Sequence, residues 1–141
     1  MIVDEFIEQL LALDPPVFSL VEGIAELASL QDAPAATPAG YVFIKEEAGG
    51  ENRRLTGLLQ RVEADIGVVI VMQNVSDNAG GAAMADIEAI KLKAISAIAG
   101  TQPASAADTV EYAGGQLVRA RNGYVWWELT FSAPYYLESK P

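Results

Sequence analysis

The sequence contains no cysteine and no histidine. The first absence excludes disulfides and thiolate chemistry. The second removes the usual general base, the commonest zinc ligand and the side chain that titrates near neutral pH. Positive charge is also scarce: nine Lys and Arg stand against nineteen Asp and Glu, a formal net charge of −10. A duplex-binding protein needs a basic face to displace counterions, so tight nucleic-acid binding is not expected. An acidic surface that DNA merely passes meets no such difficulty, because like charge prevents sticking. Long apolar runs are missing too; the longest, Gly67 to Met72, is too short to span a bilayer. The start, Met1-Ile2-Val3-Asp4-Glu5, lacks the basic region of a signal peptide. The expectation is a protein made and kept in the cytosol, where the glycosylation sequon Asn74-Val75-Ser76 has no meaning.

What is present suits one domain, residues 1–141. A chain of this length buries roughly 68–70% of its unfolded surface and folds without staples. Apolar residues make up 51% and charged residues 20%, so disorder is not the default reading. Val3, Ile7, Leu10 and Leu11 recur at helical spacing, which predicts a first helix from Ile2 to Leu13. Asp14-Pro15-Pro16 stops it, since a residue before proline avoids the helical region. Phe18 to Val21 reads as a short strand, Gly23 to Leu30 as a short helix and Gln31 to Gly40 as a surface connection.

Tyr41 to Lys45 is β-branched and aromatic, hence a strand. Glu46 to Gly57 is polar, with paired glycines and paired arginines, and reads as a mobile loop or arm. Leu59 to Gln73 is the clearest strand. Gln60, Val62, Ala64, Ile66, Val68, Ile70 and Met72 share one face. Arg61, Glu63 and Asp65 share the other, which turns apolar at Val69 and Val71; that half predicts a doubly covered stretch or a subunit contact. Val75 to Gly81 is a turn-rich loop. A second long helix is predicted from Ala82 to Ala99, with Ala83, Ile87, Ile90, Ala94 and Ile98 buried and Gly100 as its cap.

Three strands are then expected: Val110 to Tyr112, Gln116 to Arg121 after the Ala113-Gly114-Gly115 turn, and the strand that follows Asn122-Gly123. Asn-Gly favours a type I′ turn, which needs positive φ at both positions. A two-residue loop sets Arg121 opposite Tyr124, Arg119 opposite Trp126 and Leu117 opposite Glu128. Val118, Ala120, Val125, Trp127, Leu129 and Phe131 then form a core face, while Trp126 lies outside beside Arg119. The fold class is α/β of the α+β kind: a mainly antiparallel twisted sheet with two main helices packed on one face.

Chemistry-bearing motifs are few. Gly80-Gly81 before a helix lacks the Lys-Ser/Thr of a phosphate loop and reads as a flexible turn. Glu46-Glu47, and Glu63 with Asp65, could suggest acid–base work, but Arg61 beside the latter pair favours a solvated ion-pair row. Asp77-Asn78 lacks the regular oxygen ligands of an EF-hand. There is no Gly-x-Ser-x-Gly and no Ser-x-x-Lys. No catalytic residue, metal or cofactor is assigned, and the protein is read as no enzyme. The candidate contact residues are Glu46, Glu47, Glu51, Asn52, Arg53 and Arg54 on the arm, and Arg119, Arg121, Tyr124 and Trp126 near the hairpin. Trp126→Ala is expected to impair assembly more than folding.

The second half resembles phage tail terminator (tail completion) proteins of long-tailed phages. The likeness runs from the strand ending at Asn74 through Gly80-Gly81, the helix from Ala82, Gly100 and Pro103. It continues through Tyr112-Ala113-Gly114-Gly115-Gln116-Leu117 to Trp126 or Trp127, Glu128 and Phe131. It implies a sandwich fold that closes into a ring, usually of six subunits. The ring would cap the head-proximal end of the tail tube and end its polymerisation. Its other surface would meet the head-proximal connector or neck protein, and DNA would pass through the lumen without specific binding. The implied location is the virion, after assembly in the host cytoplasm, with no membrane contact. Two other readings stand beside it: another neck protein, such as a stopper or head-completion protein, and a small acidic binding module.

Overall fold

Strand pairing follows from the longest alternating segment. In the computed structural model, which describes residues 1–73 and 81–139 and the side chains of all of these except 81–85, that segment is the middle of a five-stranded sheet. The elements in chain order are α1 (Ile2–Leu11), β1 (Leu20–Glu22), α2 (Ile24–Ala28), β2 (Ala39–Asn52), β3 (Leu58–Gln73), α3 (Gly81–Ile98), β4 (Glu111–Arg121) and β5 (Tyr124–Ser139). The sheet order is β1-β2-β3-β5-β4; only β1 and β2 run parallel. The expectations for 75–80, including Asp77-Asn78 and Gly80, for the sequon at 74–76 and for the side chain of Ala83 fall outside the described residues.

The main core lies between one sheet face and the two long helices, as the fold class predicts. Ala64, Ile66, Val68 and Ile70 of β3 face Leu129, Phe131 and Ala133 of β5 along that surface. α1 contributes Ile2, Phe6 and Leu10, one face at helical spacing; Asp4 and Glu5 suit the positive end of its dipole. α3 contributes Ile87, Ile90, Ala94 and Ile98. Each Val, Leu, Ile or Phe among them is worth about 1.5–3 kcal/mol of burial. Gly100 leaves the helix at φ +81°, a conformation that side chains resist, and its N–H donates to the Val110 carbonyl at 2.8 Å. The Gln9 amide donates to the Ala97 carbonyl at 2.9 Å and to the Thr101 hydroxyl at 3.1 Å, which locks α1 onto the end of α3.

The other face is half covered. α2 and the residues after it lay Leu27 and Leu30 over Ala39, Tyr41, Val69, Val71 and Trp126, a second and smaller core. The apolar second half of β3 is therefore the doubly covered stretch that its composition predicts. Burial raises the pKa of the Tyr41 hydroxyl.

Three expectations need correction. Glu46 to Gly57 is not a loop. β2 continues to Asn52, every residue from Ile44 to Asn52 is exposed, and only 53–57 turn. Bulges at Ile44/Glu46 and Gly49/Asn52 let this glycine-containing segment follow the long, regular β3. Together with the exposed end of β5 the hairpin forms a three-stranded arm.

Nor does Ala113-Gly114-Gly115 turn: β4 is one strand, with register shifts at Tyr112/Gly114 and Leu117/Arg119. The type I′ turn is present, with φ +55° at Asn122 and +78° at Gly123, and it sets Arg121 opposite Tyr124 and Arg119 opposite Trp126. The second bulge then corrects the predicted pairing of Leu117 with Glu128: it places Leu117 opposite Trp127 and Gln116 opposite Glu128. Val118 and Ala120 are exposed, contrary to the predicted core face, because β4 is an edge strand and its bulge turns Val118 outward.

Gly115 is needed for room. A Cβ there would stand 2.7 Å from the Tyr112 hydroxyl, 2.9 Å from Trp127 Nε1 and 3.2 Å from the Glu128 carbonyl oxygen. Gly115→Ala is expected to lower stability by about 1–3 kcal/mol through this crowding. Urea unfolding measures it, and an unchanged midpoint would show that the edge strand simply moves away.

Candidate interaction surfaces

The predicted contact residues separate into two groups, one at the β4–β5 turn and one along the arm, which runs from Glu46 and Glu47, paired with Asp65 and Ala64 at mid-β3, to Arg53 and Arg54 at the far turn. Arg119, Arg121, Tyr124 and Trp126 surround the β4–β5 turn, where Trp126 pairs with Val71 and Tyr124 with Gln73 of β3. Glu46, Glu47, Glu51, Asn52, Arg53 and Arg54 lie on the arm, whose turn adjoins Leu58. Thirteen positions of β3 separate Leu58 from Val71, or about 43 Å at 3.3 Å per residue.

At the first end a groove of about 410 Å³ opens on the sheet's outer face. Trp126, Val69 and Phe43 form its floor; Leu27 and Leu30 wall one side, Val118 and Arg119 the other. The bulge in β4 makes this wall, because it sends both Val118 and Arg119 to the same side. The Arg119 guanidinium sits 4.5 Å from the centre of the Trp126 ring, the predicted cation–π pair. Such a contact is worth about 0.5–2 kcal/mol, depending on how well water is excluded. Lys45 and Glu128 pair at 2.5 Å across the rim, and Lys45 also donates to the Thr130 hydroxyl at 3.0 Å. Asp32, Arg121 and Tyr124 extend the rim.

One expectation about this end is overturned. Trp126 lies on the outer face as the register requires, but it is only 7% exposed. The α2 segment buries it, so its loss must disturb folding as well as any contact. The sequence signal for this cover was the apolar pair Leu27 and Leu30 at helical spacing.

At the second end the turn is built by its own side chains. The Asn52 side-chain oxygen accepts from the N–H of Leu59 at 2.9 Å and of Arg54 at 3.2 Å, and its amide donates to the Gly57 carbonyl at 3.1 Å. The two arginines have different tasks. Arg54 donates to the Ser139 carbonyl at 3.1 Å and pairs with Glu138, which ties the turn to β5. Among the described residues the Arg53 side chain makes no such bond, and Leu55 close by is fully exposed, at 108%. Leu55 is not legible in the sequence, because one exposed leucine in a polar stretch carries no periodic signal.

Tyr135 donates to Glu47 at 2.7 Å across the arm, and that bond holds the tyrosine's pKa above its usual value. Glu46 and Glu51 are exposed. Arg61 Nε donates to Glu63 at 2.7 Å and Arg61 approaches Asp108 at 3.9 Å, so Glu63 belongs to an ion-pair row. Among the described residues there is no cluster of three or more metal-ligating carboxylates. No described helix is long and apolar enough to cross a membrane.

A search of curated proteins returns no match. Among solved structures, a chain of the "Virion of native gene transfer agent (GTA) particle" is similar, with a TM-score of 0.59 at 16% identity over 95% of this chain and 93% of that one. At that identity the likeness concerns the fold. The family model described as phage tail terminator protein matches residues 3–141, which takes in nearly all of the first forty residues as well as the second half that carries the resemblance in sequence. The chain belongs to the phage tail terminator protein family, a family of structural, non-enzymatic proteins of the virion.

Proposed function

We propose that the protein acts as a closed ring of identical copies, a hexamer, that caps the head-proximal end of the tail tube. The ring ends tube polymerisation and offers its far surface to the head-proximal neck protein. The observation that carries this reading is the pair of unlike surfaces at opposite ends of one sheet, the arm tip and the Trp126 groove. A contact between unlike patches repeats around an axis, and closes into a ring if the rotation allows. Several such copies on a symmetric tube end add their separate weak contacts through effective concentration. Growth stops because the next tube ring finds no matching surface. The net charge of −10 favours a lumen that DNA traverses without sticking. No covalent step is involved, and assembly takes place in the host cytoplasm.

Light scattering and negative-stain imaging of the purified chain, alone and with tail tubes, test the proposal. The expected result is a six-fold ring, free or seated on one tube end, and tubes that no longer elongate. A strictly monomeric protein that leaves tube growth untouched would count decisively against it.

A further inference from the structure

The arm tip exposes an apolar side chain, the groove has an apolar floor, and both carry charges of each sign. The arm tip presents Leu55 fully exposed, on a turn that Asn52 and Arg54 hold rigid. An exposed leucine on an ordered tip gains about as much from burial as a core leucine does, and the rigid turn loses little entropy on docking. The groove offers an apolar floor of Trp126, Phe43 and Val69 with room for such a side chain.

The charges match by position. Among the described residues Arg61 pairs with Glu63 and Arg54 with Glu138, which leaves Glu51 and Arg53 without an ion-pair partner beside Leu55. At the groove Lys45 is taken by Glu128, and among the described residues Asp32 and Arg121 have no ion-pair partner on the rim. The tip thus offers one acidic and one basic group, and the rim offers Asp32 and Arg121 together with Arg119, which lies over the Trp126 ring and has no ion-pair partner among the described residues. Within one copy the two surfaces lie about 43 Å apart along β3, so the tip cannot reach its own groove.

We propose that the occupant of the groove is the arm tip of a second copy, with Leu55 seated against Trp126, Arg53 facing Asp32 and Glu51 facing Arg121. This rests on the ring reading above and specifies the contact that would build it. Each copy gives its tip to one neighbour and receives the tip of the other.

The absence of native cysteine makes a direct test possible. Leu55 and Val118 are both exposed, at 108% and 53%, so a Leu55→Cys, Val118→Cys variant leaves both cores intact. A disulfide needs Cα atoms about 4.4–6.8 Å apart, so any 55–118 bond must join two copies. Mild oxidation of the assembled full-length variant is expected to give a ladder of covalent species up to the whole ring on a non-reducing gel. Each single-cysteine variant is expected to stop at the dimer. Leu55→Asp is expected to weaken self-association at least about tenfold with an unchanged melting temperature. Rings that form without a ladder, or a Leu55→Asp protein that assembles like the parent, overturn this contact and leave the ring itself standing. Protein that forms no ring, alone or on tail tubes, overturns both.

Discussion

Replacing Phe131 with Ala is expected to cost about 3–5 kcal/mol, a large part of the roughly 5–15 kcal/mol by which a domain is stable. Phe131 has no exposure to solvent and sits in β5, which pairs with β3 on one side and β4 on the other. Its ring meets Phe6 of α1 edge-on at 5.9 Å and Tyr112 of β4 at 5.7 Å. One side chain therefore links the helix layer, the sheet centre and the sheet edge. Its removal leaves a cavity that none of the three can fill without giving up its own contacts. Urea unfolding followed by far-UV circular dichroism measures the loss, and Phe131→Leu, which keeps most of the volume, is expected to cost far less. An Ala variant as stable as the parent would mean that α1 collapses into the gap.

Trp126→Ala is expected to be comparably severe, again about 3–5 kcal/mol, and to abolish groove docking in the molecules that remain folded. Trp126 closes the second core with Tyr41, Val69 and Val71, and α2 rests on it through Leu27 and Leu30. Arg119→Ala removes only the cation above the ring and is expected to cost about 0.5–2 kcal/mol. The pair separates packing from charge. A Trp126→Ala protein with an unchanged unfolding midpoint and lost assembly would restore the simpler picture of an outer-face contact, and would mean that α2 does not cover this tryptophan in solution.

That reversal shows where sequence periodicity stops being informative. Alternation in β3 reports which residues share a face, and it placed Ile66 and Val69 on opposite sides correctly. The Asn122-Gly123 turn reports a register, and Arg121 and Arg119 take the partners it dictates, Tyr124 and Trp126. Neither signal says what will lie over a face. Trp126 was legible as outward-facing; its cover comes from α2, about a hundred positions earlier in the chain. The bulges were hidden for a related reason. A bulge is a mismatch between two strands, so Gly114-Gly115 looks like a turn until β5 is alongside. The same holds for Gly49-Gly50, which β3 alongside draws into a bulged strand. Of the candidate contact residues, the grouping into two clusters could be read only once the length of β2 and β3 was known.

The arm and the groove are joined by a single strand that is hydrogen-bonded on both sides for nearly its whole length. A pull exerted between these two ends runs parallel to β3. It would load the ladder bonds in shear, many at once, where a pull across the sheet would peel them one after another. A collar closed through these ends would set its strongest mechanical axis along its own circumference, the direction in which pressure from inside would stretch it.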